Sequence, residues 1–407
     1  MRLLILTPQV PFPPHQGTTI RNWGLLGQLA QRHTLDLLTF GDPATPVPAP
    51  LAQRCACVRV IAPPSRSATR RLIDLALGHA DLARRLWSPA FREALNEMLA
   101  AENYGGVQVE GLELAAYLPL VVARRLPIVF DAHNAEHVIQ ERALATDRGR
   151  QGRRLAALYS RIQLPRLKAL ERAVGAAADG LSVVSAEDAR ALQTLAPSVH
   201  PIVIPNGITL GDYGPASPAA VKSGRVVFTG KMDYRPNVDA VAWFVAEIWP
   251  RVRTRFPAAT FWIVGQAPTR AVRALSGRDG VHVTGAVDDT RPHIAGAQVY
   301  VTPLRMGGGT RFKILEAFAL GRPVVSTHIG AEGFSLTDGR EALLADTPLA
   351  FAEAVCRVME EPDLETRLGA AGRTFVATHY DWAAIGPRLN ALWDDVLGRR
   401  NASTAGP

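Results

Sequence analysis

One feature constrains this chain more than any other: short apolar runs rich in Val, Ile and Leu alternate with longer stretches of helical spacing along its whole length. Strands that are apolar on both faces belong to parallel sheets, because each crossover connection lays a helix over the sheet. The fold class is therefore α/β. Strands are expected near residues 3–7, 35–40, 58–62, 107–110, 128–131, 181–185 and 201–204, and in a second series near 226–228, 260–264, 281–283, 299–302, 323–326 and 342–344. The stretch between the two series, PNGITLGDYGPASPAAVKS, has neither period and reads as an interdomain linker. Each series opens with a buried strand that runs on to a glycine, Gly17 and Gly230, as two doubly wound domains would. Three helical stretches follow the last strand.

A chain of 407 residues is too long for one ordinary hydrophobic core, so two domains are expected on length alone. The net charge is +8, yet charged residues are only 20% of the chain, and no basic stretch interleaved with aromatics or recognition-helix motif is present. Nucleic acid is not an expected partner. Cys55, Cys57 and Cys356 make neither a disulfide framework nor a zinc set, which fits a reduced compartment. The first apolar run breaks at Thr7 and Pro8 before a signal peptide would be complete, and the longest uncharged apolar segment is about half of the ~20 residues a membrane helix needs. A cytoplasmic protein is expected.

The richest window for chemistry is TPLRMGGGTRFKILEAFALGRPVVST, residues 302–327. Glycines let backbone approach a ligand, and the helix expected over 310–320 presents unpaired N–H groups at its start. Gly308, Gly309 and Thr310 would supply that anion cradle. Arg311 and Lys313, in the first turn, oppose the helix dipole and cost stability unless an anion offsets them. The plainer alternative is a tight turn with two solvated cations. Only four of the 45 basic residues are lysines, so Lys231 and Lys313 stand out as compact point charges. Glu316, two turns into the helix, suits vicinal hydroxyls such as those of a ribose, against the alternative of a solvated helix carboxylate.

His133 follows a strand ending at Asp131, and ligands bind open α/β sheets at strand C-terminal ends. Asp131 is placed to orient its ring, and His137, a turn on, is an alternative contact. Gly17 ends a Pro-rich loop and precedes a helix, a weaker version of the same cradle. No Asp-x-Asp follows a strand, Asp288 and Asp289 are adjacent, and His133 and His137 lack the glutamate of a zincin motif. No metal and no cofactor are expected.

The ordered set of segments resembles family 4 of the retaining glycosyltransferases with the GT-B fold. VVFTGKMDYRPNVDAVAWF is similar to the strand and phosphate loop that open the donor domain there, with Gly230, Lys231, Pro236 and Asn237 at matching places. FDAHNAEH resembles the acceptor-domain segment that carries a histidine near the reaction centre, here His133. SVVSAEDA, VIPNGI, GAVDDTRPHIAGAQVYVTPL and EALLADTPLAFAEAV resemble further segments, so the likeness spans nearly the whole chain. One position departs: the family's usual signature has a Glu eight residues before the one matched to Glu316, and Gly308 stands there.

The resemblance implies a GT-B-like pair of Rossmann-like domains facing across a cleft: an acceptor-side domain over 1–205, a linker over 206–223, a donor domain over 224–380, and a terminal helix over 381–400 returning to the first domain. It implies transfer of a sugar, with retention of configuration, from a nucleotide diphosphate sugar to a hydroxyl of a glycan or lipid-linked acceptor. His133, Lys231, Arg311 and Lys313 would serve the chemistry, while Gly17, Gly230, Asn237, Gly308, Gly309, Thr310 and Glu316 would bind substrate. A nucleotide-sugar epimerase of the same architecture is the alternative, and a basic nucleic-acid-binding protein a remoter one. Arg150, Arg154, Arg161, Lys168 and Arg172 fall on one flank of a helix expected to kink at Pro165, with Leu155, Leu158 and Ile162 on another. That stripe suggests peripheral contact with anionic lipid at the inner face of the membrane.

Overall fold

The computed structural model describes residues 1–14, 17–148, 154–214, 221–306 and 311–404. The chain forms two compact units, Met1–Pro205 together with Ile385–Pro407, and Asn206–Ala384.

The first unit holds seven parallel strands: β1 (Arg2–Thr7), β2 (Thr34–Phe40), β3 (Cys57–Ile61), β4 (Gly106–Glu110), β5 (Ile128–Asp131), β6 (Gly180–Val183) and β7 (Ile202–Val203). Their order, β3-β2-β1-β4-β5-β6-β7, reverses direction between β1 and β4 and creates the switch point of a doubly wound sheet. The second unit repeats the plan with β8 (Arg225–Thr229), β9 (Thr260–Val264), β10 (Val281–Val283), β11 (Val299–Thr302), β12 (Val324–Ser326) and β13 (Ala342–Leu344). Its order is β10-β9-β8-β11-β12-β13, with the switch between β8 and β11.

Period-two geometry explains why these strands read as unbroken apolar runs. In β8, Val226 and Phe228 join a core with Phe244, Phe261 and Phe351, whereas Val227 faces the opposite layer with Tyr300, Leu315 and Phe318. Both faces are buried, so neither set of positions can be polar. In the first unit Leu4, Leu6, Phe91, Val109 and Phe130 form the corresponding core.

The segment read as a linker joins the second unit as far as it is described: Ile208 is buried, its N–H donates to the Tyr380 carbonyl at 2.9 Å, and its own carbonyl accepts from Trp382 N–H at 3.0 Å. Leu210 and Tyr213 pack against the same core as Ile208. Pro165 lies inside the helix Arg154–Ala177. On the expected lipid-facing flank, Lys168 pairs with Glu141 at 2.6 Å and Arg172 donates to the Leu195 carbonyl, while Arg150 lies outside the described residues. Among the described residues, no helix is long and apolar enough to cross a membrane.

The helix Trp382–Thr404 begins in the second unit and groups with the first from Ile385 onward. Its Trp393 is fully buried over β4, where Gly106 leaves room for the indole: a Cβ at Gly106 would lie 2.6 Å from the ring. Gly106→Ala should therefore destabilise the first unit by about 1–3 kcal/mol, the usual cost of overpacking. Urea unfolding followed by tryptophan fluorescence checks this, with Gly398→Ala, at a site with open space, as the control.

Candidate functional site

In the second unit, β8 ends at Thr229 and the chain turns at Gly230 beside the switch point. A Cβ at Gly230 would meet the Asn237 amide nitrogen at 2.7 Å and the Lys313 ammonium at 2.9 Å, so only glycine leaves this small hollow open. Asn237, from the helix Arg235–Trp243, donates to the Lys231 carbonyl at 2.9 Å and accepts from Lys313 Nζ at 2.9 Å. The same ammonium stands 4.0 Å from the centroid of Phe228, within cation–π range. Gly230, Asn237 and Lys313, far apart in sequence, thus form one cradle.

Lys313 is partly buried, and the loss of hydration, reinforced by the nearby Arg311 cation and opposed by Glu316, brings its amine down to about 7. An ammonium held that far below its ordinary range is a site short of negative charge. Three residues on, Glu316 has its carboxyl raised to about 7 by burial, against the Tyr213 hydroxyl, which donates to it at 3.3 Å, and the Lys313 cation. Tyr213 is itself pinned. Arg291, paired with Asp289 at 2.9 Å, donates to the Asp212 carbonyl at 3.1 Å, and Arg373 donates to the carbonyls of Tyr213 and Ala319.

Other expected residues are placed differently. The helix starts at Phe312, two residues later than expected, so Arg311 is its buried N-cap residue and does not lie in the first turn. Lys231 turns its ammonium to Asp233 at 3.4 Å and is 58% exposed. Gly308, Gly309 and Thr310 lie outside the described residues. Gly17 is the exposed first residue of the helix Gly17–Leu29.

The first unit gathers its polar residues at the ends of β4 and β5, whose last residues, Glu110 and Asp131, are register partners. Both carboxylates are buried. Arg21, also buried, meets Asp131 with two hydrogen bonds, at 2.6 and 3.1 Å, and donates to the Ile204 carbonyl at 2.9 Å. His133 brings Nε2 to 3.3 Å from Glu110 and 3.9 Å from Asp131. Burial alone would lower the imidazole, but the Asp131 and Glu110 carboxylates together raise it. Glu110 is raised by burial and by its neighbour Asp131, while Arg21 holds Asp131 below its ordinary range against the effect of burial. Oxygen and nitrogen atoms of Glu110, Asp131 and His133 lie within 4.8 Å of one another. Arg21 already neutralises Asp131, however, so the group reads as a set sharing protons. His137 is buried with Nδ1 2.6 Å from Glu171, which ties it to the protein interior.

Arg21, Glu110, Tyr213, Arg291 and Arg373 were not singled out from the sequence. Glu110, a lone acid closing the apolar run GVQVE, carried the one readable signal.

Lys313 sets a pH dependence whose sign follows from linkage. Its folded value of about 7 lies below the ordinary 10.5, so between those values the unfolded chain holds a proton that the folded chain lacks, and this group makes stability rise with pH. Lys313→Met should remove that increment. Urea unfolding at pH 7 and pH 9.5 should show a smaller gain, or a larger loss, in the variant than in the natural chain.

Residues 15–212 match the family described as Glycosyltransferase Family 4, and residues 223–361 the one described as Glycosyl transferases group 1. A phosphatidyl-myo-inositol mannosyltransferase of Mycobacterium tuberculosis is 30% identical over 210 residues, 48% of this chain and 54% of that protein. A GDP-mannose-dependent alpha-(1-6)-phosphatidylinositol monomannoside mannosyltransferase from the same organism is 27% identical over 250 residues, 56% of this chain and 64% of that one. The chain spans about half the length of the curated relatives it matches. Among solved structures, a sucrose-phosphate synthase from Thermosynechococcus elongatus superposes with a TM-score of 0.73 at 19% identity, covering 98% of this chain and 100% of that one. Anabaena HepE in complex with UDP and glucose superposes with a TM-score of 0.64 at 14% identity, covering 97% and 99%.

Proposed function

From the membership of this chain in the GT-B glycosyltransferases of family 4, we propose that it transfers a sugar from a nucleotide diphosphate donor to a hydroxyl of a glycan or lipid-linked acceptor, with retention of configuration. The observation that carries the reading is the cradle of Gly230, Asn237 and Lys313, an underhydrated cation held close against the backbone at a switch point. A diphosphate supplies the missing negative charge. Glu316, about one helical turn along from Lys313, accepts hydrogen bonds from the ribose hydroxyls.

In such a transfer the bond from the sugar to the diphosphate breaks and charge accumulates on the leaving oxygens, so fixed cations there contribute most to the rate. Lys313 does this without a metal, taking up a proton as the charge develops. His133 faces the transferring sugar or the acceptor hydroxyl, and the Asp131 and Glu110 carboxylates favour its charged form. An epimerase, which needs no acceptor, is not favoured by the family matches. Two of the relatives are named for phosphatidylinositol lipids, which supports a lipid-linked acceptor met at a membrane surface. Arg161 is left exposed on the basic helix for that contact.

Calorimetry with UDP, GDP, uridine and guanosine tests the donor reading. Lys313→Ala should weaken the preferred nucleoside diphosphate more than its nucleoside. Glu316→Gln should weaken both by about tenfold or more, as expected for a charge-assisted bond of about 1.5–3 kcal/mol. Unchanged affinities with the fold intact would place the donor elsewhere. His133→Ala should lower turnover strongly with little change in diphosphate binding, and a variant that turns over like the natural chain removes His133 from the reaction.

A further inference from the structure

β4 places two polar residues, Gln108 and Glu110, on the same face of an otherwise apolar strand, and both are fully buried. Buried polar atoms require partners, and here the partners form a directed chain. The indole Nε1 of Trp393 can only donate, and it donates to Gln108 Oε1 at 2.9 Å. That fixes the amide, so Gln108 Nε2 must point the other way, where it donates to Glu110 Oε1 at 2.8 Å. The second oxygen of Glu110 stands 3.3 Å from His133 Nε2. The Asn22 amide, in the orientation that gives both of its atoms partners, donates to that same oxygen at 3.3 Å.

The backbone of His133 is held as firmly as its ring. Its φ of 59° lies in the left-handed region, uncommon for a residue with a side chain and costing about 1–3 kcal/mol where it persists. The His133 N–H donates to Asp131 at 3.2 Å and its carbonyl accepts from Val184 at 3.1 Å, which keep it there. On the opposite edge of the ring, Nδ1 makes no hydrogen bond among the described residues. It lies 3.8 Å from where a Cβ on Gly111 would stand, with Glu113 Oε2 2.9 Å from the same point.

The geometry points to Glu110 as the residue that positions His133, with Gln108 and Trp393 fixing Glu110, so that Nε2 is turned to the sheet and Nδ1 to substrate. The inference rests on the reading that His133 meets substrate, and it adds that the terminal helix sets the imidazole through a buried relay. Glu110 accepts from both sides, which selects the tautomer with a proton on Nε2 when the ring is neutral. The charged groups around the ring are Glu110, Asp131 with its partner Arg21, and the carboxylates Glu113 and Glu136.

The sign of a perturbation follows. Without the indole, the Gln108 amide no longer holds a donor on Glu110, the buried carboxylate becomes easier to protonate, and His133 loses an anion that favours its charged form. Its titration should move to lower pH.

The test is NMR titration of the full chain labelled with ¹⁵N in its histidine rings, His133 being identified by His133→Gln among the ten histidines. In the natural chain the neutral ring should carry its proton on Nε2. Trp393→Phe and Glu110→Gln should each lower the titration of His133, Glu110→Gln by more, and Gln108→Met should act like Trp393→Phe if the tryptophan variant does not fold. With GDP-mannose or UDP-glucose as probe, whichever turns over, Trp393→Phe should lower kcat roughly tenfold, the value of a hydrogen bond near the upper end of its usual range, with the donor KM unchanged. A neutral ring protonated on Nδ1, a His133 titration indifferent to Glu110→Gln, or one indifferent to both Trp393→Phe and Gln108→Met, overturns the relay. If the NMR shifts appear while His133→Ala turns over normally, the relay stands and the reaction role of His133 falls.

Discussion

The second unit depends on how one ammonium is accommodated. Lys313 is partly withdrawn from water and given an amide oxygen and an aromatic face in place of a carboxylate ion pair. Both interactions are weaker than the hydration they replace, which is why burial dominates the fall in its basicity. The arrangement exists because Gly230 has no side chain and because Asn237 is itself tied to the Lys231 carbonyl. A site built in this way gains most from a ligand that brings negative charge. Glu316 and the Tyr213 segment, clamped by Arg291 and Arg373, extend the same helix with groups that suit neutral hydroxyls.

The first unit handles buried charge in the opposite manner. Arg21 satisfies Asp131 with two short bonds, and the remaining acid, Glu110, is shared among an amide donor and an imidazole. Breaking such a set by removing one member leaves an uncompensated buried charge, a far larger penalty than the net stabilisation of the intact set. That accounts for a tightly specified ring orientation at His133. In each unit the polar groups gather beside the switch point of the sheet, where strand C-terminal ends leave backbone groups unpaired.

The α/β class was legible because strands buried on both faces are mainly apolar, and the GT-B fold was expected from the resemblance of an ordered set of segments to a known family. Lys313 and Glu316 were named from sequence because a cation early in a helix opposes the dipole and a carboxylate among apolar neighbours must take the non-core face. The relay to Trp393 could not, because Gln108 and Trp393 are 285 residues apart and neither belongs to a motif. Tyr213 was hidden for another reason: the Pro- and Gly-rich composition around it signals a linker, and local composition says nothing about the arginines that fasten it. Lys231 was named from its motif, and its partner two residues on, Asp233, was not.

The central claim is that Lys313 is an underhydrated amine waiting for phosphate charge. The direct measurement is calorimetric titration of UDP and GDP into the natural chain at pH 8, in two buffers of different ionisation heat. With the amine at about 7 before binding, an arriving diphosphate raises its affinity for protons, so binding should take up close to one proton. Lys313→Met should bind with no such uptake. Tight binding of either nucleotide to the natural chain without proton uptake would contradict the account.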